Sequence, residues 1–391
     1  MISLFIKYYK YILIILILLN TNTSYIAIAK HTPTYILPTT KKISLITSKI
    51  FPASTLWKKD ISLKDNIACI SNDFILILSD DESISIININ DGKLTTIKDN
   101  RFKNIKDILC QLNIVFIIRK KDVITFAPAN YLIETILQLN SSIVNATIAN
   151  NLLYILTNNS VSIYDIKSKA YYNFLINSPN NLIKILPYSK DIILTSSDGK
   201  IVNYSNKGNQ NWLIDLKENI SIEGTIFKST LYQTALNNLY AIDLEKHKIK
   251  WKLLLGASTE FPPIVTEDSI LLVPLNNLLL SLDHKGNKKW IKLLNYKITT
   301  QMLLLDKEII LSPFSKEIMS VMISNGNIIG TTKIDFPFLI KSFHKNNMLF
   351  LLYANKILCL KKEEPKQEEK ESMPSPNHES PLSNSLTLIH Q

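Results

Sequence analysis

The chain has 391 residues, 46% of them apolar and 20% charged, with a formal net charge of +11. Of its 44 basic residues only Arg101 and Arg119 are arginine, and Ile, Asn and Lys dominate, so the charge reads as a solvated surface set by an AT-rich coding sequence. No lysine cluster is interleaved with aromatic residues, which argues against nucleic-acid binding, and with only 8 glycines most tight turns must rest on Asn and Asp, which also tolerate positive φ.

The first 29 residues have the order of a signal peptide: Lys7 and Lys10, the apolar run Tyr11 to Leu19, then Ala27-Ile28-Ala29 as a cleavage site. The apolar run is far shorter than the roughly 20 residues a membrane-spanning helix needs. Cleavage after Ala29 is therefore expected, and no cysteine near it offers a lipid-anchor site. Residues 30–54 form a lead-in. Residues 55–361 carry repeated strand patterns, and 362–391, rich in Glu, Lys, Pro and Ser, read as a disordered tail.

Within the repeat region, Trp212, Trp251 and Trp290 are 39 residues apart, and each closes the same phrase of apolar strand, polar turn and Trp. Leu239-Tyr-Ala-Ile-Asp243 leads through a turn to Trp251, and Leu280-Ser-Leu-Asp283 leads to Trp290 in the same way. A period near 40 marks a propeller in which each repeat is one four-stranded blade. Trp57 lies 155 residues before Trp212 and is in register, whereas the last repeat runs into the polar tail and has no outer strand of its own. The expected fold is all-β: an eight-bladed propeller of four-stranded antiparallel blades, closed by the N-terminal strand at Trp57 pairing with the last blade. Closure removes exposed edges. Blades 2 and 7 are the poorest copies, and Tyr172 stands near the Trp position of blade 3.

Few residues suggest chemistry. Asp165, Asp243 and Asp283 recur before turns and are explained by Asx-type capping. His247 and His284 fall in the same turns and read as exposed turn residues. No histidine has a second ligand at metal spacing, and no phosphate loop or nucleophile elbow is present, so no catalytic, cofactor or metal residues are assigned. Cys69, Cys110 and Cys359 make an odd count. Cys69 and Cys110 occupy matching places in successive blades, but blades fan outward and would hold them beyond the roughly 7 Å limit for a disulfide. All three are expected to be buried, unbonded hydrophobes.

The phrase Tyr240-Ala-Ile-Asp243, turn, Trp251, followed by Pro262-Pro-Ile-Val265, resembles the quinoprotein-type (PQQ-like) repeat, most clearly over 220–294. In that family each Trp packs between neighbouring blades, which gives Trp57, Trp212, Trp251 and Trp290 a structural role. The quinone-binding dehydrogenases of this repeat carry adjacent cysteines under the cofactor, and this chain has no such pair. Length, blade count and leader instead resemble the BamB family of periplasmic propellers. The resemblance implies a non-enzymatic scaffold, peripheral to the outer membrane, that docks on the POTRA domains of a BamA-like subunit and helps deliver unfolded outer-membrane proteins. It also implies an apolar and basic docking loop, whose nearest counterpart is Leu182-Ile183-Lys184; the same residues also read as the start of blade 4's inner strand. A propeller binding another envelope protein is the alternative, and a quinoprotein dehydrogenase the remote one.

Overall fold

Strand assignment follows from which sides of each segment are apolar. Segments such as Phe74–Leu78 and Ile114–Ile118 are apolar at every position and buried on both faces, as strands inside a layered stack must be. Segments such as Lys248–Leu254 and Lys288–Leu293 alternate exposed and half-buried residues, the pattern of a strand with one face toward solvent. The computed structural model describes residues 48, 51–64, 66–177, 181–335 and 339–362. The expected signal peptide, most of the expected lead-in and the expected tail from 363 lie outside the described residues.

Among the described residues thirty-two strands, β1 to β32 in chain order, form eight four-stranded antiparallel sheets, and each sheet is a blade. Seven blades are consecutive in sequence, spanning 68–97, 107–138, 143–175, 182–215, 225–254, 264–293 and 303–333. The eighth is made of β30 (Lys341–Lys345), β31 (Met348–Leu352) and β32 (Lys356–Lys362), with β1 (Ala53–Asp60) added as its outer strand. β1 pairs antiparallel with β32, from Ala53 opposite Lys362 to Asp60 opposite Lys356. The expected eight-bladed ring and its closure by the N-terminal strand are what the structure has.

The core is a set of layers between blades. Each buried cluster joins one blade to the next: Leu156 and Val161 of blade 3 meet Ile185 and Leu194 of blade 4, and Leu239 and Ala241 of blade 5 meet Leu272 and Leu282 of blade 6. The same kind of layer joins blade 8 to blade 1, where Phe350, Ile357 and Cys359 pack on Ala68, Ile75 and Ile77. The ring therefore has no free blade face.

Each tryptophan seals a seam. Trp57, Trp251 and Trp290 donate their indole N–H to the backbone carbonyls of Ile89, His284 and Ile323, at 3.2, 2.9 and 2.8 Å, in the turn of the following blade. Gly92, Gly286 and Gly326 lie against the same rings with φ of 68°, 86° and 74°. At Gly326 a Cβ would come within 2.7 Å of the Trp290 ring. Trp212 is covered instead by His247, stacked at 5.4 Å. In blade 3 the aromatic is Phe174, against Gly208. Tyr172 is 59% exposed. The outer strand pair of blade 3 runs without the bulge found beside Trp212, Trp251 and Trp290, and without that local bend the packing residue is two positions further along the same face.

The cysteine expectation is overturned. Cys69 and Cys110 form a disulfide with Cα atoms 5.7 Å apart. They sit on β2 (Ala68–Ile70) and β6 (Asp107–Gln111), the innermost strands of blades 1 and 2. Blades diverge outward, but their inner strands converge on the axis, and the spacing between blades is small there. Cys359 is free and fully buried, as expected, and burial pushes its thiol up to about 12.

The turns follow the composition. Asn150, Asn151, Asn277, Asn346 and Asn347 all take positive φ. Asp165 accepts from the N–H groups of Lys167 and Ser168 at 2.8 and 3.0 Å, and Asp243 from Glu245 and Lys246 at 3.1 and 2.8 Å. Asp283 accepts from Lys285 and Asn287 at 2.9 and 2.8 Å. These carboxylates are structural caps.

Candidate interaction surface on blades 4 and 5

The blade-to-blade connections and the turns between second and third strands lie on one side of the ring, the connector face. On this face β14 (Leu182–Tyr188) begins as the inner strand of blade 4. Leu182 is 5% exposed and packs between blades 3 and 4, so it offers nothing to a partner. Ile183, half-buried, leans on the layer between blades 4 and 5. Lys184 holds Glu223 of the connection into blade 5 at 3.1 Å, with both side chains about a third or more exposed (35% and 41%). The three residues thus start a strand, and two of them also reach the surface.

Beside them is an open cleft of about 570 Å³ lined by Asn181, Ile183, Ser197, Asp198, Asn219 and Ser221, with Ile220 at its base. Gly199 shapes it: its φ is 94°, and the backbone of Glu218 passes where a Cβ would stand. The connection 216–221 can descend onto the turn of blade 4 only because that position is glycine. Backbone bonds fix the arrangement, with Leu216 N donating to Gly199 O at 3.0 Å and Ile220 N to Ser197 O at 3.2 Å. Ion pairs rim the cleft, Lys200 with Asp198 at 2.6 Å and Lys252 with Glu218 at 2.6 Å. The Lys200 ammonium and the Ser196 hydroxyl hold the Asp198 carboxyl below the usual carboxylate range. A shallow apolar floor with paired charges at its rim suits a protein surface better than a small substrate.

Sequence reading singled out Ile183 and Lys184 but missed Glu223, Asn219 and Ser221. Nothing in their residue types marks them, because they enter the cleft through a connector whose path depends on Gly199. His284 was also misjudged. It is half-buried, stacked on Phe227 at 5.4 Å, within 2.7 Å of the Tyr232 hydroxyl and about 3 Å from the carbonyls of Thr266 and Glu267, which makes it a structural plug. His247 is exposed as read, yet it too packs, on Trp212. Among the described residues no three His, Cys, Asp or Glu side chains converge as a metal site would need.

A family model described as outer membrane protein assembly factor BamB matches residues 197–350. No curated protein matches the chain. Among solved structures, BamB from Moraxella catarrhalis aligns with a TM-score of 0.60 at 15% identity, covering 79% of this chain and 99% of that one. The computationally designed Ika8 protein aligns at 0.62 with 11% identity, covering 76% of this chain and 98% of that one. Sqt1 of Saccharomyces cerevisiae aligns at 0.61 with 10% identity, covering 82% of this chain and all of that one (100%). At such identities the structures show the fold alone, and a designed protein shares it as well as BamB does. The sequence of the repeat separates them: this chain is a PQQ-like propeller that resembles BamB.

Proposed function

We infer that the chain is an exported, non-enzymatic scaffold of the outer-membrane β-barrel assembly machinery, acting from the periplasm at the outer membrane. It docks through the connector face of blades 4 and 5 on the POTRA domains of a BamA-like subunit and aids insertion of unfolded outer-membrane proteins. The observation that carries this reading is the BamB family match over 197–350, because it is a match in sequence; it takes in the cleft residues from Ser197 to Ser221, while Ile183 and Lys184 precede it. The Cys69–Cys110 disulfide supports export, since such bonds persist in oxidising compartments.

The test is binding of the chain without residues 1–29 to the purified POTRA domains of the same organism's BamA-like subunit. Micromolar or tighter binding is expected. Lys184→Glu puts two like charges beside each other at Glu223, and with Ile183→Glu it is expected to weaken binding at least tenfold while the circular dichroism spectrum stays that of the parent. Binding retained in the folded double variant would move the docking site elsewhere on the ring, and no binding by the parent would contradict the assembly role.

A further inference from the structure

We propose that this chain is a substrate of thiol oxidation, and that the Cys69–Cys110 disulfide is installed to lock the seam between blades 1 and 2, where the aromatic plug of other seams is missing. The inference does not depend on the assembly role. It rests on a comparison of the seams. An aromatic of the outer strand seals blade 8 to 1 (Trp57), 3 to 4 (Phe174), 4 to 5 (Trp212), 5 to 6 (Trp251) and 6 to 7 (Trp290). Between blades 7 and 8 an aromatic comes from the lead-in, Phe51, packed on Gly330.

Blade 1 has none. Its outer strand, β5 (Leu94–Ile97), reads Leu-Thr-Thr-Ile. Thr95 stands at the register position of Trp290: it pairs with Ile86, two residues before the turn-capping Asn88, as Trp290 pairs with Ser281, two before Asp283. As in blade 3 the strand has no bulge, and the residue two positions on, here Ile97, packs on the seam. Beside Thr95 lies a cavity of about 340 Å³ lined by Phe74, Ile86, Lys93, Thr95, Pro128 and Ala129. The seam between blades 2 and 3 also lacks a plug, but its cavity is about 180 Å³ and Lys106 ties it by donating to Ile143 O at 2.6 Å. Of the two seams without an aromatic plug, the one with the larger cavity carries the covalent bond.

The pairing is unambiguous. Cys69 and Cys110 are consecutive cysteines, and Cys359 is fully buried in the layer between blades 8 and 1, so its thiol does not compete. The step needs an oxidant of the disulfide class. One cysteine thiolate attacks the oxidant's disulfide and forms a mixed disulfide, and the other then displaces the oxidant. The two thiols lose two protons and two electrons, and the oxidant leaves as a dithiol. Closing a loop of this length removes much freedom from the unfolded chain.

The full chain is purified without reductant, its thiols are titrated in denaturant, and the peptides are mapped without reduction. One thiol per chain is expected, rising to three after reduction, with residues 69 and 110 in one linked peptide; three thiols before reduction would overturn the proposal. For the lock itself, Cys69→Ser/Cys110→Ser is expected to lower the melting temperature by about 5–10 °C, and adding Thr95→Trp to recover part of that loss. No loss, or no recovery, would overturn the substitution of bond for plug. If the double variant does not fold, melting the parent with and without reductant decides: equal melting temperatures overturn the lock.

Discussion

An indole between two blades does three things at once. It fills the seam, donates to a carbonyl of the next blade and leaves room only for glycine or a flat ring above it. Trp290→Ala is expected to cost about 3–5 kcal/mol in denaturant unfolding, as large aromatic deletions do. Gly326→Ala should also destabilise, by a Cβ that meets the Trp290 ring at 2.7 Å and by strain at φ 74°. Because both act on one contact, the double variant should lose less than the sum of the single losses, and strict additivity would show that the glycine serves only its turn. The capping aspartates give a second test. Backbone N–H groups of Ser168 and Lys167 hold Asp165 below the usual carboxylate range, and that of Lys246 does the same for Asp243. Their native pKa values are depressed, so the stability they contribute is present above the unfolded value of about 3.9 and is lost as pH falls through the native values. Melting temperature should therefore hold from neutral pH to about 5 and drop below about 4, less steeply in Asp165→Asn/Asp243→Asn; an unchanged drop would remove the caps from the acid response. The tryptophans and caps were legible in the sequence because each needs one residue type at one spacing. Phe174, the disulfide and the buried role of His284 were not, because each depends on a bulge, a convergence or a neighbour from another blade.

At the scale of strands, β1 is the element on which the ring depends. It supplies the outer strand of blade 8 and, through Trp57, the plug of the seam to blade 1. Without it β32 becomes an open edge and the first seam loses its aromatic. Deleting residues 55–60 should lower the melting temperature by tens of degrees or prevent folding, whereas deleting 363–391 should leave it nearly unchanged. Equal melting temperatures for the two truncations would contradict closure by β1. The blades were readable because second and third strands are rich in apolar residues and largely buried on both faces, while outer strands alternate. Blades 2 and 7 read poorly for a physical reason: their outer strands, Leu132–Gln138 and Ile328–Lys333, carry no aromatic. The cleft on the connector face was only half readable. Ile183 and Lys184 could be placed by distance from Trp212, but the connector that completes the cleft is positioned by the bare backbone of Gly199.

The described residues form a closed ring of blades that presents loops, with a seam-by-seam core, and the chain as a whole is lysine-rich and positive. The BamB-like propeller supports a protein-interaction role, and the proposed role is tested directly. The direct measurement is the amount of folded β-barrel protein in the outer membrane of the source organism after this chain is removed. The account predicts a clear fall, restored by the parent chain and not by a folded Ile183→Glu/Lys184→Glu variant. An unchanged β-barrel content would contradict it.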